Sequence, residues 1–381
     1  MKAKRLFLIP VVLACGTAHA QSSVTLYGIV DEGIDFTSNT GGHTAYQTVS
    51  GNLYGSRWGL RGSEDLGGGM SAVFRLENGF NMSTGALGQG GREFGRVASV
   101  GLASERYGTV TLGRQYDPSI DLWSVTTGAG GFFGDFATPV YDNNNADYNY
   151  RINNSIKYTS PVYRGVTFEA LYGLSNEAGG FADNRVYSLG AQYKAGALLA
   201  AVVYLKANNA GTANGALATD TVFTGSSQQT IDAGFTYRFA KTLVGFAYSH
   251  VDVYNPTALS SFTSGQTQPT GGQWKSWKFD NFELNGRYYI KPNFWAGGGF
   301  VYTQAHVNST VGNFLPRWYQ GTVMVDYDLS ARTSLYVQGA YQHLVSAHTG
   351  TDFDYALIQG SAGRSSSGNQ GVVRVGVTHR F

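Results

Sequence analysis

The seven histidines are the first residues to test for chemistry, since imidazole is both a common metal ligand and a base that titrates near neutrality. His19, His43, His250, His306, His343, His348 and His379 are scattered, with no HExxH and no pair at ligand spacing on one expected strand. The sharpest catalytic grouping is Ser249-His250 with Asp252, which would supply a nucleophile, a base and an orienting acid. In an extended chain, however, neighbouring side chains point to opposite faces, so Ser249 and His250 turn away from each other. No catalytic residue, metal-ligating set or cofactor is assigned. Gly297-Gly298-Gly299 lies inside an expected strand with no helix after it, so it serves close packing or a bend rather than phosphate binding. Asp352 and Asp354 could hold Ca²⁺, but solvated loop charge is the commoner role for such acids. No basic stripe with interleaved stacking aromatics points to nucleic acid.

The elements that carry these residues follow from composition. Glycine stands at 52 and tyrosine at 25, aromatic residues make up 14%, charged residues 14%, and proline only 8 positions. Disorder would bring more charge and fewer aromatics, and a helical protein more Ala, Glu, Lys and Leu, so many strands joined by glycine-rich turns are expected. Residues 1–20 read MKAKRLFLIPVVLACGTAHA. A basic start, an apolar run and Ala18-His19-Ala20 have the layout of an export signal, so residues 21–381 are expected as the mature domain. A rival processing site at Cys15 would leave a lipidated N-terminus instead. Cleavage after Ala20 removes the single cysteine and, with Lys2, Lys4 and Arg5, leaves 24 basic against 25 acidic residues. No later stretch is apolar for the roughly 18 residues a membrane helix needs, which leaves a closed β-barrel as the way to span a bilayer.

Read for period 2, the mature chain divides into about sixteen strand-like segments. Short turns, such as Lys194-Ala195-Gly196 and Lys291-Pro292-Asn293, alternate with longer polar connections near 38–53, 83–93, 118–150, 177–183, 209–227, 255–278, 308–314 and 347–369. This alternation is the loop plan of a transmembrane barrel. Parity is consistent with it: Ala72, Phe74 and Leu76 share one face while Ser71, Arg75 and Glu77 share the other. Tyr27, Trp58, Tyr288, Tyr289, Trp295, Trp318 and Tyr327 lie near strand ends, where interface girdles belong. The chain ends VGVTHRF, with Val373, Val375, Val377, His379 and Phe381 on one face. This is the last barrel strand, and it carries no tail because it must pair with the first.

Several stretches resemble the trimeric general diffusion porins of Gram-negative outer membranes, most closely those of β-proteobacteria. They are Ser23-Val24-Thr25-Leu26-Tyr27-Gly28, the run Ser56-Arg57-Trp58-Gly59-Leu60-Arg61-Gly62-Ser63-Glu64-Asp65-Leu66-Gly67, Val100-Gly101-Leu102 followed by residues 107–115, and the terminal phenylalanine. The resemblance implies an all-β, sixteen-stranded antiparallel transmembrane barrel, assembled as a homotrimer, with the third long loop folded inward. That loop is 116–150, and its Gly128-Ala129-Gly130-Gly131-Phe132-Phe133-Gly134-Asp135 run looks like the family's inward bend. The resemblance further implies a basic wall of Arg57, Arg61, Arg75, Arg96 and Arg151 facing loop acids Asp117, Asp121 and Asp135, with Asp142 and Asp147 as further candidates. Parity supports the inward direction of Arg57, Arg61 and Arg75. Arg96 is awkward, since alternation from Val100 and Leu102 turns it outward unless the strand bulges. Phe381 resembles the signal read by the outer-membrane insertion machinery, although His379 stands where the family usually has a second aromatic.

Basic and acidic groups facing each other across a narrow opening create a transverse field that sorts ions by charge. The expected function is passive diffusion of small hydrophilic solutes and ions across the outer membrane, mildly favouring anions, with membrane lipid as surroundings and no reaction. Two alternatives remain at this level. One is a substrate-selective channel for sugars or organic acids, which Phe132, Phe133 and Phe136 would support as an aromatic track; the other is an outer-membrane enzyme or adhesin.

Overall fold

The computed structural model describes residues 23–211, 216–217, 222–261 and 266–381; the expected export signal, with Cys15 and His19, lies outside these residues. Period-2 alternation becomes one continuous antiparallel sheet. Each long strand pairs with its neighbours in sequence, and the first, Ser23–Thr40, pairs with the last, Asn369–Arg380. This pairing closes the sheet into a barrel and removes the exposed edge. Two backbone hydrogen bonds between Gly28 and Phe381 (3.0 and 3.1 Å) finish the seam. The terminal phenylalanine is therefore tied into the wall.

Sixteen staves close the barrel, and one of them is broken. His43–Ser50 and Arg57–Gly67 both pair along the same side of the first strand, with residues 51–56 as an excursion between them. The connection expected at 38–53 is thus mostly strand: the first hairpin turns at residues 41–42 and pairs back along the first strand. Little in the residues announces this strand, because a polar segment such as HTAYQTVS lacks the apolar face that marks the others.

Burial alternates with strict parity, in the sense opposite to that of a water-soluble barrel. On Arg317–Asp328, Val323 (65% exposed) and Val325 look outward, whereas Gln320, Thr322 and Asp326 are buried. A continuous band of exposed Val, Leu, Ile, Phe and Tyr would be untenable in water and is what a bilayer requires. Of the residues expected in the aromatic girdle, Trp58, Tyr288 and Tyr327 do face out. Tyr27, Tyr289, Trp295 and Trp318 do not: their parity is that of the inner wall, where Trp318 and Trp295 are buried. Proximity to a strand end says nothing about which face a ring occupies; only parity does.

Candidate functional site: the loop across the lumen

The inner wall is polar, and the 116–150 loop is held to it at points around the barrel. Gln192 donates to Leu122 O (2.7 Å), Asn285 to Thr126 O (3.1 Å), Gln320 to Phe136 O (2.9 Å) and Gln338 to Phe133 O (2.5 Å). Gly128 N donates to Glu283, and Asn144 donates to Ser249 Oγ at 2.9 Å. A segment bonded to inward side chains of so many staves lies inside the barrel. The wall donors are Gln and Asn at inward-facing positions of their strands, so the wall's alternation builds the cradle. The loop runs as short helical turns, Ser119–Trp123 and Ala129–Phe133 among them. Gly134, at φ 59°, sits so close to Asn52 and Leu53 of the 51–56 excursion that a side chain there would collide with their backbone. Phe133 is fully buried beside Leu53 and Trp295, and Gly299 leaves space for its ring.

Opposite the loop, one carboxylate organises the arginines. Glu77 Oε2 lies 2.6 Å from Arg75 Nη2 and 4.0 Å from Arg57 Nε, and Glu77 Oε1 lies 2.8 Å from Arg96 Nε. Tyr27 OH also donates to Glu77 (2.8 Å). Three guanidinium groups on one carboxylate leave two positive charges in excess. Arg96 does turn inward, without a bulge: the strand begins only at Val97, so Arg96 stands in the preceding bend, free of alternation. Arg151 is held from the far end of the loop, donating to Tyr116 OH at 2.7 Å. Arg61 stays apart, exposed, with its guanidinium over the Tyr27 ring at 5.4 Å.

Arg57, Arg96 and Arg151 share one cavity of about 300 Å³ with Asp135, Asp147 and Tyr148. Burial, repulsion between their charges and repulsion from Asp142 raise the Asp147 carboxyl well above the ordinary carboxylate range; burial likewise raises Asp135. Asp135 and Asp147 act as a pair that holds a proton more readily than either acid alone. Asp121 is bonded to Lys157 beside a second cavity that Arg75 also lines. Asp117 is buried against the wall, accepting from Ser188 Oγ (3.0 Å). So the expected basic and acidic groups meet at one place for Arg57, Arg96, Arg151 and Asp135, but not for Arg61, Asp117 or Asp121. Sequence reasoning passed over Glu77 as organiser, although its inward parity was visible, and over Arg374. Arg374 is fully buried between Asp31 (3.3 Å) and Asp35 (3.6 Å).

Other expected chemistry is dispersed. Ser249 faces the lumen and accepts from Asn144, while His250 lies outside on Asp280 (2.8 Å), so no Ser-His-Asp arrangement forms. Asp354 accepts from Ser346 Oγ and from the backbone of Thr349 and Gly350, and Asp352 pairs with Arg364 at 3.3 Å.

Comparison with known proteins gives the geometry its context. Residues 8–345 match the family described as Gram-negative porin. The chain is 30% identical over 429 aligned residues to an outer membrane porin protein of Bordetella pertussis, covering 99% of this chain and 100% of that protein. It is 31% identical over 394 residues to outer membrane porin protein 32 of Delftia acidovorans, covering 99% of each. Among solved structures, the anion-selective porin from Comamonas acidovorans superposes with a TM-score of 0.69 at 22% identity, covering 95% of this chain and 100% of that one, a likeness of fold alone. These relatives are channel proteins rather than enzymes, and the likeness runs the length of a barrel whose polar lumen is crossed by its third long loop: the chain belongs to the Gram-negative porin family, outer-membrane channels for passive diffusion of small hydrophilic solutes and ions.

Proposed function

We propose that this porin favours anions, and that the cavity holding Arg57, Arg96 and Arg151 against Asp135 and Asp147 is its selectivity constriction. The observation that carries this is the charge count. Three guanidinium groups face two carboxylates, so the cavity is net positive and a permeating anion is stabilised there. Arg75, behind Glu77, and exposed Arg61 add to the field along the approach. Asp121, neutralised by Lys157, and Asp117, buried against Ser188, contribute little to it. Reversal potentials in a salt gradient across a planar bilayer test it: a permeability ratio at or below one for chloride over potassium would refute it.

The working unit is read as a homotrimer, by analogy with a structural neighbour solved in a trimer form. Residues 1–20 are read as a cleaved signal, and Phe381 as the mark read by the insertion machinery. Mass spectrometry of the mature N-terminus and native mass of the purified protein check the first two. A substrate-selective channel with an aromatic track finds less support. Phe133 and Phe136 are fully buried in the loop's contact with the wall, and Phe132 packs edge-on against Trp295 at 5.8 Å under Arg287.

A further inference from the structure

The excursion at residues 51–56 touches both sides of the constriction. On the basic side, Gly55 O accepts from Arg57 Nη1 at 2.9 Å, and a Cβ placed on Gly55 would stand 2.9 Å from Arg96 Nη1. Arg57 is therefore tied more closely to the excursion than to Glu77, 4.0 Å away. On the acidic side, Asn52 O accepts from Asp135 N at 3.0 Å, and Gly134 packs against Asn52 and Leu53. Tyr54, between them, lines the cavity. This short segment thus sets where the arginines stand relative to Asp135.

The excursion in turn converges on one residue of the first strand. Pairing with His43–Ser50 ends at Glu32 opposite Ser50, and pairing with Arg57–Gly67 resumes at Ile29 opposite Arg57, which leaves Asp31 in the gap. Ser56 Oγ takes the place of the missing ladder partner: it accepts from Asp31 N (3.0 Å) and donates to Asp31 O (3.0 Å). Gly51 N donates to the same carbonyl at 2.9 Å, and Asp31 Oδ1 accepts from Leu53 N at 3.2 Å. Asp31 therefore holds the excursion at its start, middle and end.

Asp31 is itself fixed from the wall. Asp31, Asp35 and Arg374 are fully buried, with Arg374 opposite Asp35 across the seam. The facing pair Gly33 and Gly376 clears the space between: a Cβ on Gly33 would come within 2.5 Å of Arg374 Nε, and one on Gly376 within 2.3 Å of the Tyr336 ring. Through that space Arg374 reaches Asp31 Oδ1 (3.3 Å), and Tyr336 OH donates to Asp31 Oδ2 (3.0 Å). Asp35 lies 3.6 Å from Arg374 Nε and accepts from Asn52 Nδ2 at 3.2 Å. Burying an ion pair adds little net stability by itself. What these bonds secure is the place of the excursion.

We infer that Asp31, held by Arg374 and Tyr336, is a positioning residue for ion selectivity, fixing the excursion that sets Arg57 and Arg96 against Asp135, a role that rests on their shared cavity being the selectivity constriction. Asp31 touches no permeating ion. It acts through Gly51, Leu53 and Ser56, so its loss leaves every constriction charge present and only their placement undefined.

The test is a double-mutant cycle of reversal potentials across planar bilayers at low salt, with Arg57→Gln as the probe. In the otherwise wild-type chain the probe is expected to lower the chloride-to-potassium ratio roughly three- to fourfold, and in Asp31→Ala by less than about 1.5-fold, because Arg57 no longer has a fixed place. Asp31→Asn separates position from charge. Its amide oxygen still accepts from Leu53 N and Arg374, and its N–H donates to the Tyr336 hydroxyl, so the full probe effect is expected to return. Equal losses in the Asn and Ala variants would make Asp31 a source of field rather than of position, and a full probe effect in Asp31→Ala would show that the excursion holds without it; either result overturns the inference. A probe without effect in the wild-type chain instead removes the constriction, and this role with it. Should Asp31→Ala not assemble, Ser56→Ala cuts the hydroxyl tether and keeps every charge; it is expected to reduce the probe effect to about twofold, and an undiminished effect there overturns the inference as well.

Discussion

Replacing Arg57 with glutamine isolates the constriction's field with little disturbance, because the side chain is 27% exposed and its closest carboxylate contact, to Glu77, is a long one at 4.0 Å. A cavity of about 300 Å³ corresponds to a sphere of about 4 Å radius, so an ion at its centre sits roughly 6 Å from the guanidinium carbon. In water-like dielectric one unit charge at that range contributes about 0.7 kcal/mol, which screening at 0.1 M salt, with a Debye length of about 10 Å, lowers to about 0.4 kcal/mol. The term has opposite sign for cation and anion, so the difference is about 0.8 kcal/mol, or roughly three- to fourfold in the anion-to-cation ratio. At 1 M salt the Debye length is about 3 Å and the same arithmetic leaves only about 1.4-fold. Reversal potentials of Arg57→Gln and wild type in planar bilayers at both salt levels measure this directly. Arg61→Gln serves as comparison, since Arg61 does not line the cavity, and it is expected to change the ratio less than Arg57→Gln does. An unchanged ratio at 0.1 M, or a change that does not shrink with salt, would refute the assignment.

Glu77→Gln removes the charge that holds Arg75 and Arg96; leaving Arg96 buried without its partner is expected to cost about 3 kcal/mol, read by urea unfolding of the barrel in lipid vesicles, and to raise the anion preference. Lowering the pH through the raised range of the Asp135–Asp147 pair adds a proton and hence one positive charge to the constriction, while ordinary carboxylates near 3.9 stay ionised. Anion preference should therefore rise as the pH is lowered, with Asp142, Arg57, Arg96, Arg151 and Arg374 as the other charges facing the pair, and Asp147→Asn should abolish that rise in reversal-potential titrations. Gly134→Ala puts a side chain at positive φ against the backbone of residues 52–53, which should destabilise the loop's seat by about 1–3 kcal/mol and appear as noisier or larger single-channel steps. Deleting Phe381 removes two seam hydrogen bonds, about 1 kcal/mol each, and should lower the yield of heat-resistant oligomer on gels; a normal yield would show the seam closes without it.

What was legible in the sequence is what repeats locally. Alternation needs only the neighbouring residue, so strands expected near 241–254 and 293–307, the inward parity of Arg57 and Arg75, and the outward parity of Val373 to Val377 could be read one strand at a time. The loop plan, and with it the closed barrel, followed from connection lengths, which are also local. His43–Ser50 escaped because a short polar strand has no continuous apolar face to reveal it.

Tertiary structure decided everything that depends on lateral pairing. Glu77 meets Arg57 because their strands pair with Gly59 opposite Glu77, and meets Arg96 because the chain returns after a loop of residues 80–96 to begin its next strand at Val97. Neither distance is a function of the residues between. The loop acids divide for the same reason: each is placed by where its turn touches the wall, Asp117 at Ser188, Asp121 at Lys157, Asp135 at Asn52. The sequence by itself determined which side of each strand faces water and which faces lipid; the closed sheet and the loop folded into it determined which of the water-facing charges confront one another, because Coulomb attraction acts through space and the path across this lumen is set by non-local hydrogen bonds.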